Sequence, residues 1–333
     1  MPADIQCIHH GEGNAGPFEV WRLRIGPDTN VHLVRGKDGE GALVDAGPEG
    51  DETAAAILAL LKAASVAPEA LHKLVITHGH PQHAGGIGVL KARFPELAVY
   101  TSRYDAKWLP SVQKAVDSEI RQLRSQLLRW GVPGGGKGGV DEALDDYRRR
   151  RTMADLPGPA VHAVNGGDVL DLAGVPFRVE EAPGHHPGAI VLVHDDGGEV
   201  FAGDNVGVDV FPAPLLAASA NGSHVAAGPQ LVDGLERLKE FGPKVVFPGH
   251  GGTISNPDGA LDEEIHHFRG SAQRLMSRLI DEELTPWEIA GKPGPDRLIS
   301  SLAVAFCYVD LLLREAAIDC RMVKGVDRYY VPM

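Results

Sequence analysis

The period of the apolar positions changes several times along the chain, and each change marks an element. Val20–Ile25 alternates apolar and charged residues, the two-residue period of a strand with one buried face. Val31–Arg35 and Ala42–Asp45 are short β-type runs around a Lys37-Asp38-Gly39 turn, so the first fifty residues read as strands. Alanines and leucines then recur at helical spacing from Thr53 to Ala64. Leu74–Thr77, β-branched at three of four positions, predicts a buried strand running directly into a histidine-rich loop. A short helix near Gly85–Phe94 and a strand at Leu97–Tyr100 follow.

Residues 103–155 differ in character. They are charged, amphipathic and helical in period, interrupted by Gly131-Val132-Pro133-Gly134-Gly135-Gly136, and read as an inserted helical cap with a hinge. β-type patterning returns from Val161 to Gly203, with Asp195-Asp196-Gly197-Gly198 as a hairpin turn. A helix near Pro229–Phe241 leads to the strand Lys244–Phe247 and then to Pro248-Gly249-His250-Gly251. The last seventy residues read as an appended module with helices at Asp262–Glu282 and Asp296–Ala316. Between them Thr285-Pro286-Trp287-Glu288 is a capping box with proline at the first helical position, and a small hairpin around Gly325 follows.

Composition narrows the class. With 43% hydrophobic and 23% charged residues, the 333-residue chain can bury a sizeable core. Its net charge of −13 disfavours a nucleic-acid partner, because phosphate binding needs a basic face; the only dense basic cluster is Arg148–Arg151. That run reads as a solvated helix face, with an anion-binding patch as its sharper alternative. Cys7, Cys307 and Cys320 follow no CxxC spacing, which fits a reducing, cytoplasmic setting. No signal-peptide pattern and no apolar run of membrane-spanning length are apparent, so no membrane contact is expected.

The chemistry concentrates in Thr77-His78-Gly79-His80-Pro81-Gln82-His83, three histidines within six positions just beyond a buried strand. Imidazole suits zinc, iron and related borderline metals. Three later segments each place a ligand type beside glycine at a strand end: Pro183-Gly184-His185-His186, Gly203-Asp204 and Gly249-His250. Taken singly these are ordinary polar residues; as an ordered set they point to a metal centre.

This set resembles the signature of the metallo-β-lactamase superfamily, HxHxDH followed by a distant His, an Asp in a GD segment and a final His. The early Asp45-Ala46-Gly47 also matches, and the resemblance covers residues 18–255. It implies an α/β fold, a four-layer αβ/βα sandwich. The expected organisation is a catalytic domain over 1–257, with the cap at 103–155, and a C-terminal helical, winged-helix-like module over 258–333. By the same resemblance, His78, His80 and His185 hold one metal, His83 and His250 a second, and Asp204 bridges them. The nucleophile is a metal-held hydroxide, with Asp204 and His250 as the residues acting in catalysis. Zinc is the expected metal, as two ions; iron and manganese suit the same donors.

The chain departs from the family at Gln82, where the family has an aspartate ligand. A neutral amide is at most a weak ligand, so the second ion is expected to bind less tightly. Asp45 and His186 are expected to support the ligands from behind. Tyr104 and Trp108 border the cap and are candidates for the substrate pocket. His9, His10, His162, His194, His224, His266 and His267 read as surface or structural residues. The expected activity is hydrolysis of an ester-type bond, thioester or lactone, in a small-molecule substrate. Alternatives of other classes are a mononuclear iron dioxygenase acting on persulfides, a ribonuclease or phosphodiesterase, and a non-catalytic binding protein. The C-terminal module would serve as a lid or a homodimer contact.

Overall fold

The computed structural model describes residues 4–13, 16–134, 139–156, 161–207 and 226–332. His224, Gly135 and Gly136 lie outside them. Seven strands form the first sheet in sequence order: β1 (Asp4–Gly13), β2 (Gly16–Ile25), β3 (Thr29–Arg35), β4 (Gly41–Val44), β5 (Leu71–Val75), β6 (Ala98–Ser102) and β7 (His162–Val164). β1 to β4 pair antiparallel and β4 to β7 parallel. The second sheet comprises β8 (Val169–Leu172), β9 (Val175–Glu181), β10 (Ile190–Val193), β11 (Glu199–Gly203) and β12 (Val245–Pro248), with only β11 and β12 parallel.

Alternate side chains of the central strands enter different cores. Ala42, Val44, Val75, Ile190, Leu192, Phe201 and Phe247 point between the sheets and pack together there. Their neighbours Leu43, Leu74, Val191 and Val200 face outward and are covered by helices. Strands buried on both faces lose the in–out alternation and read as continuous apolar runs, as Leu74–Thr77 does. The covering helices on the first sheet are α1 (Asp51–Ala63), the single turn α2 (Pro81–Ala84) and α3 (Ile87–Arg93). The cap contributes α4 (Arg103–Trp108), α5 (Val112–Arg129) and α6 (Val140–Arg151). α7 (Ala227–Glu240) covers the second sheet through Leu231, Val232 and Leu235. The result is the expected four-layer α/β sandwich.

After residue 256 come α8 (Pro257–Asp281), α9 (Pro286–Ile289), α10 (Pro295–Arg314) and the hairpin β13 (Asp319–Val323) with β14 (Val326–Tyr330). α8 starts five residues earlier than the periodicity suggested, because Pro257 occupies the first helical position, where its missing N–H costs nothing. The capping box at Thr285 forms, with both reciprocal bonds present, yet α9 lasts one turn before Gly291 takes a φ of 81°. α10 packs on α6, α7 and α8, and Trp130 of the cap packs against Phe306 in a tilted arrangement, ring centroids 4.5 Å apart. Cap and C-terminal helices therefore share one apolar core. No helix among the described residues is long and apolar enough to cross a membrane.

Candidate metal centre

The ligand candidates all leave the ends of strands at one rim of the sandwich. His78 and His80 follow β5, Asp204 follows β11, His250 follows β12, and His185 sits in the β9–β10 connection. Backbone bonds tie these segments together. Gly249 N–H donates to the Gly203 carbonyl (2.7 Å), Ile190 N–H to Thr77 (2.9 Å), Ala46 N–H to His83 (2.7 Å) and Asn30 N–H to Gly249 (2.8 Å). Side chains far apart in sequence are thereby held in one rigid frame.

Two ligand groups converge. In one, His78, His80, His185 and Asp204 each offer an atom within 4.8 Å of the others; in the second, His83, Asp204 and His250 do so. Asp204 belongs to both. Its Oδ2 lies 3.4 Å from His185 Nε2 and 3.3 Å from His250 Nε2, while its Oδ1 lies 3.2 Å from His83 Nε2.

The proton positions follow from the partners. Thr77 N–H (2.8 Å) and Thr77 Oγ1–H (3.0 Å) both donate to Asp45. With its proton so committed, Thr77 Oγ1 accepts from His78 Nδ1–H at 3.1 Å, leaving a lone pair on His78 Nε2. His83 Nδ1–H donates to Asp45 Oδ2 (2.9 Å) and His250 Nδ1–H to the Asp28 carbonyl (3.0 Å), again leaving Nε2 free. His80 Nδ1 stands 2.9 Å from His78 Nε2 and 3.0 Å from His185 Nε2; His83 Nε2 stands 3.3 Å from His250 Nε2. Nitrogen lone pairs directed at one another repel unless a cation lies between them, so the donor set fits divalent metal. Asp204 Oδ1 is buried and makes no hydrogen bond among the described residues, as expected of an oxygen reserved for an ion.

The electrostatics divide the two groups. Burial pushes the pKa values of His78 and His80 well below the ordinary imidazole value, keeping them in the neutral form that ligates metal. Burial opposes charge on His83 and Asp204 as well. The Asp204 and Asp45 carboxylates overcome it at His83 and raise its pKa to about 10, so at neutral pH this ring carries a proton on Nε2 that a metal ion must displace. The neighbouring His83 and His78 carry Asp204 well below the usual carboxylate range.

Gly249 keeps this cradle open. A Cβ there would collide with Asp204 Oδ1 and lie 2.8 Å from His83 Cε1. Gly249→Ala is therefore expected to weaken metal binding at the His83 group by at least about tenfold, since even second-layer disturbances cost that much. Equilibrium metal titration checks this; an unchanged second-metal affinity would show that the space is not used.

Gln82 lies on α2, half-buried, immediately before His83. Among the carboxylates, thiols and imidazoles of the described residues, those meeting at the second group are His83, Asp204 and His250, so a single negative charge serves both groups. Gln82→Asp is expected to tighten the second metal by about tenfold or more, because affinity for hard and borderline cations follows ligand charge count. Equal affinities of the two proteins would remove the account of Gln82.

Other residues named from sequence fall as follows. Asp45 is buried and adopts φ 65°, an unusual left-handed conformation for a non-glycine residue. His186 is 2% exposed, so a surface role is ruled out; its ring centroid lies 5.1 Å from that of His80. Tyr104 and Trp108 stack at 5.7 Å and line a small cavity with His186, Asp105 and Arg151. The arginine run is not uniformly solvated. Arg148, Arg149 and Arg150 are exposed and pair with Asp117 and Asp146, whereas Arg151 is half-buried and lies 3.6 Å from Glu119. His9 and His194 both bond the buried Glu199 carboxylate, at 2.9 and 2.7 Å.

Sequence reasoning missed Asp105. Ser102 Oγ caps α4 by accepting from the Asp105 N–H (3.1 Å), and the buried Asp105 carboxylate accepts from the Ser102 hydroxyl (3.3 Å) and fills the space beside two site loops. A Cβ on Gly79 would lie 2.5 Å from its Oδ1, and one on Gly188 2.7 Å from its Oδ2. It packs between the loops bearing His78–His80 and His185, and the only sequence signal was the Ser102-x-x-Asp105 capping pattern.

Comparison with known proteins places this geometry. The description "Metallo-beta-lactamase superfamily" matches residues 25–250. The chain is 27% identical over 302 residues to the Bacillus subtilis protein named "Probable metallo-hydrolase YqjP", covering 87% of this chain and 89% of that one. It is 26% identical over 235 residues to a hydroxyacylglutathione hydrolase of Xanthomonas euvesicatoria, covering 70% of this chain and 65% of the relative. Among solved structures, a metallo-beta-lactamase family protein from Thermus thermophilus superposes with a TM-score of 0.72 at 19% identity, covering 98% of both chains. A Beta-lactamase domain protein from Burkholderia ambifaria gives 0.72 at 15% identity, covering 98% of this chain and 92% of that one.

Sandwich and site together define an α/β protein with a rim-mounted His/Asp metal centre. The chain belongs to the metallo-beta-lactamase superfamily.

Proposed function

We propose that this protein is a dinuclear, zinc-type hydrolase of ester-type bonds, with thioesters preferred over lactones. The observation that carries the reading is Asp204, one buried carboxylate common to two groups of imidazoles. Divalent ions held by His78, His80, His185 and Asp204, and by His83, Asp204 and His250, would lower the pKa of bound water from 15.7 to about 7 and polarise the scissile carbonyl.

The chain's own residues do the rest. Asp45, through Thr77 and His83, and the Asp28 carbonyl, through His250, fix the imidazole tautomers so that the Nε2 lone pairs of His78, His83 and His250 face inward. Asp204 supplies the anionic charge common to both groups. Tyr104, Trp108 and His186 form an apolar-to-polar wall beside the first group, suited to the acyl or thiol arm of a substrate. The segment 258–333 supports this wall from behind, because α10 packs on α6 of the cap. The preference for thioesters draws on the similarity to hydroxyacylglutathione hydrolase.

The test pairs elemental analysis of the purified protein with a panel of glutathione thioesters, acyl-coenzyme A and lactones. Chelator-sensitive thioester hydrolysis, lost in His80→Ala, is expected. Metal-replete protein that hydrolyses none of the panel would overturn the proposal. Iron content with oxygen uptake would move it to the dioxygenase class.

A further inference from the structure

Away from the rim, the N-terminal hairpin carries a second set of metal-ligating side chains. β1 and β2 pair antiparallel, with Cys7 opposite Trp21, His9 opposite Val20 and His10 opposite Glu19; the register slips between Cys7 and His9. In a regular strand, residues three apart point to opposite faces. The bulge at Ile8 adds one residue and cancels that alternation. Trp21 and Glu19, two apart on β2, share a face, so their partners Cys7 and His10 share it too. His9 turns inward instead and bonds the buried Glu199.

The consequence is a thiol, an imidazole and a carboxylate with one ligand atom each within 4.8 Å of the others. Cys7 Sγ lies 3.7 Å from His10 Nε2. Zinc at about 2.3 Å from sulfur and about 2.0–2.1 Å from nitrogen, in tetrahedral geometry, requires a separation of about 3.6 Å. Glu19 is already oriented. Its Oε2 accepts from Trp21 Nε1–H (2.8 Å) and Arg35 Nη1–H (3.4 Å), while its Oε1 lies 3.8 Å from His10 Nδ1, the ring nitrogen other than the one that faces Cys7. This outer layer is of the kind that fixes metal ligands. The place is independent of the rim centre: Glu199 and Asp204 stand at opposite ends of β11, about 16 Å apart at the rise of a strand.

We propose that Cys7, His10 and Glu19 form a separate metal site for zinc or a similar borderline divalent cation, with water completing the coordination. On binding, the Cys7 S–H bond breaks, its proton passes to solvent, and the thiolate bonds the cation. Thiolate and carboxylate together balance the two positive charges.

The rim centre contains no thiol, which makes the two sites spectroscopically separable. The full chain, stripped by chelation, is titrated with cobalt(II) alone. A near-ultraviolet thiolate-to-cobalt charge-transfer absorption is expected, with an amplitude of about one thiolate site per chain once the rim centre has taken up its own cobalt. It should vanish in Cys7→Ser, require at least about tenfold more cobalt in His10→Ala, and persist in Cys320→Ser and in His80→Ala. Hydrolytic turnover in Cys7→Ser should match the unaltered protein. Absence of the band from the unaltered protein, or its survival in Cys7→Ser, would overturn the site. Should Cys7→Ser fail to fold, Glu19→Gln and His10→Ala decide the matter, and an undiminished cobalt affinity in both would be equally fatal.

Discussion

Asp204→Asn is expected to abolish the metal-dependent activity, lowering kcat/KM by at least about 10^3-fold, since the rate depends on ionising water at neutral pH. The side chain keeps its shape and loses only its charge. That charge is the one anionic contribution to both ligand groups among the described residues. Two divalent ions a few ångströms apart repel strongly, and in a buried site the repulsion is poorly screened. An amide offers one neutral oxygen in place of two anionic ones, so it cannot serve both groups equally. Metal content is expected to fall to one ion per chain or fewer. Elemental analysis after gel filtration gives the stoichiometry, and steady-state kinetics gives the rate. Circular dichroism and thermal melting of the chelated protein separate this loss from misfolding. A variant that retained both ions and lost less than tenfold in rate would show that Asp204 does not bridge the groups.

The distinction between what local sequence encodes and what only the fold creates runs through this molecule. Leu74–Thr77 was legible as a buried strand because both of its faces are covered, and its histidine loop was legible because three ligands fall within six residues. The observed β5 spans Leu71–Val75, starting three residues and ending two residues before the expected run, although Ile76 N–H still bonds the Tyr100 carbonyl at 2.8 Å. β1 had no such pattern. Its bulge breaks the two-residue period; its histidines, expected as surface or structural residues, meet Glu199 through a long-range contact at His9 and Cys7 across the bulge at His10. Arg151 shows the same limit. Nothing in a run of four arginines says that the last turns inward, since that depends on where Glu119 of α5 lies when the two helices pack. Asp105 likewise fills space left by Gly79 and Gly188, both remote from it in sequence. The clustered histidines are legible from their spacing, and the remaining ligands and Asp45 from the family pattern, whereas Asp105 and Arg151 are placed by tertiary contacts alone.

Asp45→Asn tests that bracing directly, and its expected effect is second only to that of Asp204. At φ 65° asparagine is tolerated as readily as aspartate, so the backbone should not object. Thr77 N–H and Thr77 Oγ1–H need an acceptor at Oδ1, which holds the amide oxygen there and turns the NH2 toward His83. An amide N–H facing His83 Nδ1 requires that nitrogen to accept, so the ring proton moves to Nε2. The lone pair that pointed at the second ligand group is then gone. The logic is that of the buried aspartate of a serine-protease triad, where the same change leaves the geometry intact but selects the wrong tautomer, at a cost of about 10^4 in kcat. Here the first ligand group keeps its own support, because Thr77 still accepts from His78 Nδ1–H. The expected result is loss of the second ion, a roughly 10- to 100-fold drop in its affinity, with the first ion retained and a rate fall of about 10^2-fold or more. Two-site metal titration reads the asymmetry, and the nitrogen-15 shifts of the His83 ring read the tautomer. If both ions weakened equally, or if His83 kept its proton on Nδ1, Asp45 would be a general stabiliser of the loop and not the residue that aims His83.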